Sequence, residues 1–154
     1  MLTNLPTATL EQFAVGQEPE TEARRMAGKL FDWAHSRGKL GQWWAKLGGA
    51  DLSLASLPHR IETVRRTTRT ISVPLEKIVG SEGRSEDFDA NFNPLKAHNR
   101  ERWISVAAAR GTGVILPAVE LVQVGPDYYV RDGHHRISVA KAMGQLDIEA
   151  RIVN

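Results

Sequence analysis

The sequence predicts an α+β fold, a small mixed sheet with packed helices behind an N-terminal helical segment. Three observations predict it. Between Glu20 and Thr67 apolar residues recur three and four positions apart, as one face of a helix requires. Beyond residue 70, short β-branched runs alternate apolar and polar residues, the signature of half-buried strands. Finally, Asp132-Gly133 separates a hairpin strand from a helix that is apolar over most of its circumference. The chain therefore divides into an arm and helical segment over 1–69 and a sheet domain over 70–154.

Each element follows from its local pattern. Residues 1–19 scatter Pro, Thr and Gly without periodicity and read as a loose arm. Ala23, Met26, Ala27, Leu30, Phe31 and Ala34 share a helical face, and that helix is expected to end near Gly38. Leu40, Trp43, Trp44 and Leu47 then predict a second, shorter helix stopped by Gly48-Gly49, which makes a helical hairpin with the tryptophans in its core. A third helix is expected from Ser56 or Leu57 to Thr67, with Pro58 in its first turn.

Thr70-Ile71-Ser72-Val73 begins the sheet, and Pro74 to Val79 reads as a short helical turn. Residues 80–98 are rich in Gly, Ser, Asp and Asn and read as a long loop anchored by Phe88 and Phe92. Asn99 starts a helix to about Arg110. Val119–Val124, the turn Gly125-Pro126-Asp127 and Tyr128–Arg131 form a hairpin. The buried helix after Gly133 closes at Gly144, and Ile148–Val153 supplies the last strand.

Composition bounds what such a domain does. The 154 residues suffice for one domain, and the net charge of +2 is too small to argue for nucleic acid by itself. The excess sits early: residues 1–70 hold ten Lys/Arg against seven Asp/Glu, and residues 71–154 ten against eleven. With no cysteine, disulfides, thiolate metal sites and thiol nucleophiles are excluded. No apolar run approaches the roughly 20 residues that span a bilayer, and the N-terminus lacks a signal peptide's basic start and apolar centre. A cytoplasmic protein without a membrane partner is the expectation.

The succession Val73-Pro74-Leu75-Glu76-Lys77-Ile78, Arg84, Gly113 to Pro117, Asp132-Gly133-His134-His135-Arg136, Gly144, and Ile148 to Val153 resembles the ParB/sulfiredoxin superfamily, in its ParB-like nuclease domain. The resemblance covers about residues 70–154. It implies that the strand-to-helix turn binds nucleotide phosphates. ParB partition proteins hold CTP there with Gly-Glu-Arg-Arg, sulfiredoxins carry Gly-Gly-Cys-His-Arg, and archaeal free-serine kinases carry a similar Asp-Gly-His-x-Arg. The present motif is nearest the kinase form. His134 stands where sulfiredoxin has its reactive cysteine, so sulfinic acid reduction by that route is excluded. No helix-turn-helix segment follows the last strand, so a ParB-type DNA clamp is not expected.

The residues suit phosphate on physical grounds as well. A helix start presents unpaired N–H groups and partial positive charge, and Gly133 has no Cβ to obstruct an anion. His134, His135 and Arg136 in the first turn oppose the helix dipole unless an anion is present. The phosphate-binding set is thus Arg84, Gly133, His134, His135 and Arg136, with Mg²⁺ entering alongside the nucleotide. Candidate catalytic groups are Asp132, as N-cap or as a partner of a hydroxyl or Mg²⁺, His134 toward a terminal phosphate, and Glu82 as general base, with Glu76 as its alternative. Arg136 paired with a carboxylate is the structural counter-reading. Adjacent histidines point about 100° apart on a helix, so no metal site made of both is expected.

Arg60, Arg65, Arg66 and Arg69 form a basic stripe suited to a nucleic-acid backbone. Three functions stay open at this point. The first is a nucleotide-phosphate-binding module of CTP/ATP type, with or without phosphotransfer or NTP hydrolysis. The second is a DNA-binding or nuclease module, and the third an inactive protein-interaction domain. Tryptophans left exposed would mark a partner or a homodimer contact.

Overall fold

The computed structural model describes residues 18–58 and 69–153. Its elements are α1 (Glu18–Gly48), β1 (Ala55–Ser56), β2 (Ile71–Pro74), β3 (Ile78–Ser81), α2 (Arg100–Gly111), β4 (Val119–Val124), β5 (Asp127–Asp132), α3 (His134–Ala142) and β6 (Asp147–Ile152). Short 3₁₀ turns precede β3 at Leu75–Lys77 and α2 at Ala97–Asn99. The expected third helix falls almost wholly on residues outside the described set, and so do Arg60, Arg65 and Arg66.

Six strands form one mixed sheet in the order β1-β3-β5-β4-β6-β2. The hairpin β4–β5 is antiparallel with Leu121 opposite Val130, whereas β3 runs parallel to β5 and β6 parallel to β4. Alternate strand residues, including Val73, Ile78, Leu121, Val130, Ile148 and Ala150, enter a core completed by Ile137 and Ala140 of α3 and by Phe88 and Phe92 of the long loop. A second cluster joins Ala27, Phe31 and Ala34 of α1 to Trp103, Ile104 and Ala107 of α2 and to Val139 of α3. The Trp103 indole donates to Ser138 Oγ at 2.8 Å, and Ser138 Oγ donates to the Phe92 carbonyl at 2.6 Å, locking α2, α3 and the loop together.

Two expectations need correction. The helical hairpin does not form: α1 is one helix of 31 residues that runs through Gly38. Gly38 serves close packing rather than termination, since a Cβ there would lie 3.0 Å from Leu95 Cδ2 and 3.1 Å from Asn93 Cβ. His35 Nδ1 donates to the Pro94 carbonyl in the same contact, at 2.8 Å. A mid-helix glycine costs about 1 kcal/mol relative to alanine, and this tertiary contact offsets it. Trp33, Trp43 and Trp44, placed in the hairpin core by their spacing, are instead exposed. The second correction concerns Pro74–Val79, where only Leu75–Lys77 is helical. Ile78 begins a strand because it is needed in the core beside β5.

Candidate functional site

The site is assembled where β3 and β5 run side by side and both end. The chain leaves β3 still attached to β5, with Glu82 N–H donating to the Val130 carbonyl at 2.8 Å, and turns through Gly83 to Arg84. Arg84 has φ 42, a left-handed conformation that a non-glycine residue adopts at a cost. On the neighbouring strand, β5 passes through Asp132 and Gly133 into α3. Gly133 has φ 104, and a Cβ there would lie 2.5 Å from Val119 Cγ1. Both conformation and space demand glycine.

Gly133→Ala combines the left-handed penalty of about 1–2 kcal/mol with an overpacking cost of similar size, for a loss of about 3 kcal/mol in all. Urea denaturation should show it as a lower midpoint at unchanged slope. A loss below about 1 kcal/mol would mean that Val119 yields and the turn tolerates a side chain.

The motif's histidines point inward. His134 and His135 are buried, and both rings pack on Phe88, stacked at 6.1 Å and edge-on at 5.5 Å respectively. Ser81 Oγ spends its hydrogen on the Gly83 carbonyl, so the 2.6 Å contact with His134 Nε2 requires the imidazole to donate. His134 thus ties the end of β3 to the start of α3 and holds the turn that carries Arg84. Burial, helped by the Arg84 charge, pushes its pKa down to about 4. His135 is likewise pushed down to about 4 by burial, with Arg102 and Arg84 adding to the effect. Among the described residues neither ring nitrogen of His135 has a hydrogen-bond partner, a condition that costs about 1–3 kcal/mol per buried group.

A cavity of about 590 Å³ opens over this helix start. Arg84, Arg102, Arg131, Arg136 and Arg151 line it, beside His134, His135 and Gly133, with Glu120 and Asp132 as the acidic residues of the wall. Two of the five arginines are committed. Arg131 makes a two-pronged pair with the buried Glu82 carboxylate, at 2.5 and 3.1 Å, and donates to the Val153 carbonyl at 3.1 Å. Arg136 is paired with Asp132 and donates to the carbonyls of Pro117 at 2.6 Å and Ala118 at 3.0 Å. Arg84, Arg102 and Arg151 form no ion pair among the described residues, and all three are exposed.

Of the residues named from sequence, the fold thus gathers Arg84, Asp132, Gly133, His134, His135 and Arg136 on one cavity. Glu82 is turned away into its ion pair, Glu76 lies exposed on the 3₁₀ turn after β2, and Arg69 lies outside the cavity wall. Pattern reading missed Ser81, Glu120, Arg102 and Arg151. The last two reach the wall from α2 and β6, and only strand order and helix packing bring them there. Alternation along β4 and β6 is the one local signal, since it sets Glu120 opposite both Asp132 and Arg151. Among the described residues no group of three or more His, Asp or Glu could hold a metal ion. Asp89 is spent on its own loop, accepting from the N–H groups of Asn91 and Asn93 at 2.9 Å each. Among the described residues no helix is long and apolar enough to cross a membrane.

Comparison with known proteins adds little to this geometry. No family model matches the sequence, and no curated protein matches it. Among solved structures the chain is similar to sulfiredoxin from Arabidopsis thaliana, with 25% identity over 55% of this chain and 83% of that one, at a TM-score of 0.37.

Proposed function

We propose that this chain is a phosphate-binding module that holds a nucleotide of CTP/ATP type by its phosphates over the first turn of α3. One observation carries the reading: the cavity at a glycine-turned helix start is walled by five arginines against two carboxylates, and three of those arginines lack an acidic partner among the described residues. Like charges gathered without counter-ions repel one another, so the arrangement is stabilised when an anion enters. The first turn of α3 lines the same cavity, and the unpaired N–H groups of a helix start add their partial charge. His135 completes the set, because one of its unpartnered ring nitrogens carries a hydrogen that a phosphate oxygen would accept.

The groups divide by role. Arg84, Arg102 and Arg151 take the phosphate oxygens with charge-assisted hydrogen bonds. Arg136 shapes the wall through its carbonyl contacts. Its pairing with Asp132, and that of Glu82 with Arg131, leaves binding better supported than proton transfer. Mg²⁺ fits as the nucleotide's companion, since it needs only one or two carboxylates once phosphates supply oxygens. Asp132, largely exposed, and Glu120 beside it on the neighbouring strand would hold it, and it would neutralise phosphate charge.

Calorimetric titration with CTP, ATP, ADP, GTP and inorganic phosphate, with and without Mg²⁺, tests the reading. Triphosphates are expected to bind more tightly than diphosphates and phosphate, with affinity falling as salt rises. Absence of heat with every nucleotide would sink it.

A further inference from the structure

Helix α1 carries an apolar seam that nothing in the described fold covers. Met26, Trp33, Leu40 and Leu47 follow one another at seven-residue intervals and are 56, 48, 56 and 65% exposed. Trp43 and Trp44 widen the seam and pack edge to face with 5.0 Å between ring centroids. The opposite side of the helix is already occupied, with Ala27, Phe31 and Ala34 buried against α2. At 100° per residue, the seam lies roughly 120° round the helix from that buried stripe. An apolar row at seven-residue spacing is one of the two rows by which one helix receives another, and Trp43 contributes to the second. Contiguous apolar patches of this kind are uncommon on surfaces that stay in water.

From its charges and its symmetry we infer that the seam joins two copies of this chain, their α1 helices antiparallel. The half from Glu18 to Asp32 holds four acids, three of them in Glu18 to Glu22, against Arg24, Arg25 and Lys29. From Trp33 to Gly48 the helix holds Arg37, Lys39 and Lys46 and no acid. Antiparallel pairing sets each acidic end against the other copy's basic end, whereas parallel pairing sets like charges together. Trp33 is the midpoint of Glu18–Gly48, and Met26 and Leu40 lie seven residues to either side of it. A two-fold axis at Trp33 therefore brings Trp33 to Trp33 and Met26 to Leu40, so the surface is self-complementary. Arg37, stacked 4.7 Å from the Trp33 ring centroid, borders the axis.

The test uses the full chain. Sedimentation equilibrium should give twice the 17.1 kDa chain mass, and Trp33→Glu with Leu40→Glu should return it to the monomer with an unchanged circular dichroism spectrum, since both side chains are exposed. Because the chain has no cysteine, a single introduced one takes a unique spin label without disturbing the seam. Labels at Lys39→Cys, which lies off the seam, should be roughly 18 Å apart along the paired axes and labels at Lys46→Cys roughly 40 Å apart, at 1.5 Å per residue. Equal distances at the two sites would overturn the antiparallel arrangement. A wild-type chain that is monomeric at its highest soluble concentration would overturn the proposal. So would a double variant that remains dimeric, or a monomer whose exposed tryptophans resist acrylamide, which would assign the seam to a segment of the same chain.

Discussion

Lowering the pH from 7 to 4.5 is expected to remove several kcal/mol of folding stability, with His134 and His135 as the source. Both imidazoles titrate near 4 in the folded chain, below the ordinary histidine value of 6.5, because burial disfavours the charged ring. Between those two values the unfolded chain binds the protons that the folded chain refuses. Stability is therefore fully present above about pH 6.5 and declines as the pH falls toward 4. Each site contributes on the order of 3 kcal/mol at most, and the neighbouring positions make the pair titrate as a unit. Urea midpoints at pH 7, 5.5 and 4.5 measure the decline, and His135→Gln should flatten it. Midpoints that do not move over this range would show that the rings charge without unfolding the turn. A phosphate ligand should reduce the loss, because an anion beside His135 favours its protonated form.

The second large effect concerns ligand affinity. Arg84→Ala combined with Arg102→Ala is expected to weaken triphosphate binding roughly 1000-fold, from about 2 kcal/mol for each charge-assisted hydrogen bond to phosphate that the variant cannot make. Folding stability should hardly change, since both side chains are exposed and neither forms an ion pair among the described residues. Arg136→Ala makes the contrast. Its guanidinium holds the carbonyls of Pro117 and Ala118 and the Asp132 carboxylate, so removing it should lower stability along with affinity. Titration calorimetry beside urea denaturation separates the two. If Arg136→Ala abolished binding at full stability while the Arg84/Arg102 variant bound normally, the division of roles among the arginines would be reversed.

The same distinction shows how far local pattern reaches. The hairpin, the glycine turn at Gly133, the buried α3 and the anchoring by Phe88 and Phe92 were legible, because each depends on alternation, on helical spacing or on a turn residue within a few positions. The unbroken α1 was not legible. Gly38 looks the same in sequence whether it ends a helix or admits a neighbour, and the neighbour, Asn93 to Leu95, lies more than fifty residues away. Ile78–Ser81 was hidden in the same way, behind a proline and a helical turn, until β5 gave it a partner.

By itself, then, the amino-acid sequence determined the α+β class, most of the element boundaries and the gathering of cations at one helix start. Periodicity, glycine and the absence of cysteine are local or compositional properties, and they act whatever the rest of the chain does. The tertiary structure decided which of those charges meet a partner among the described residues. Arg131 meets Glu82 across 49 positions, and Arg136 meets Pro117 across 19. It also decided that His134 and His135 face inward and that the tryptophans of α1 do not. Burial and pairing depend on which strands and helices become neighbours, and that is settled by the packing of the whole chain rather than by any one segment of it.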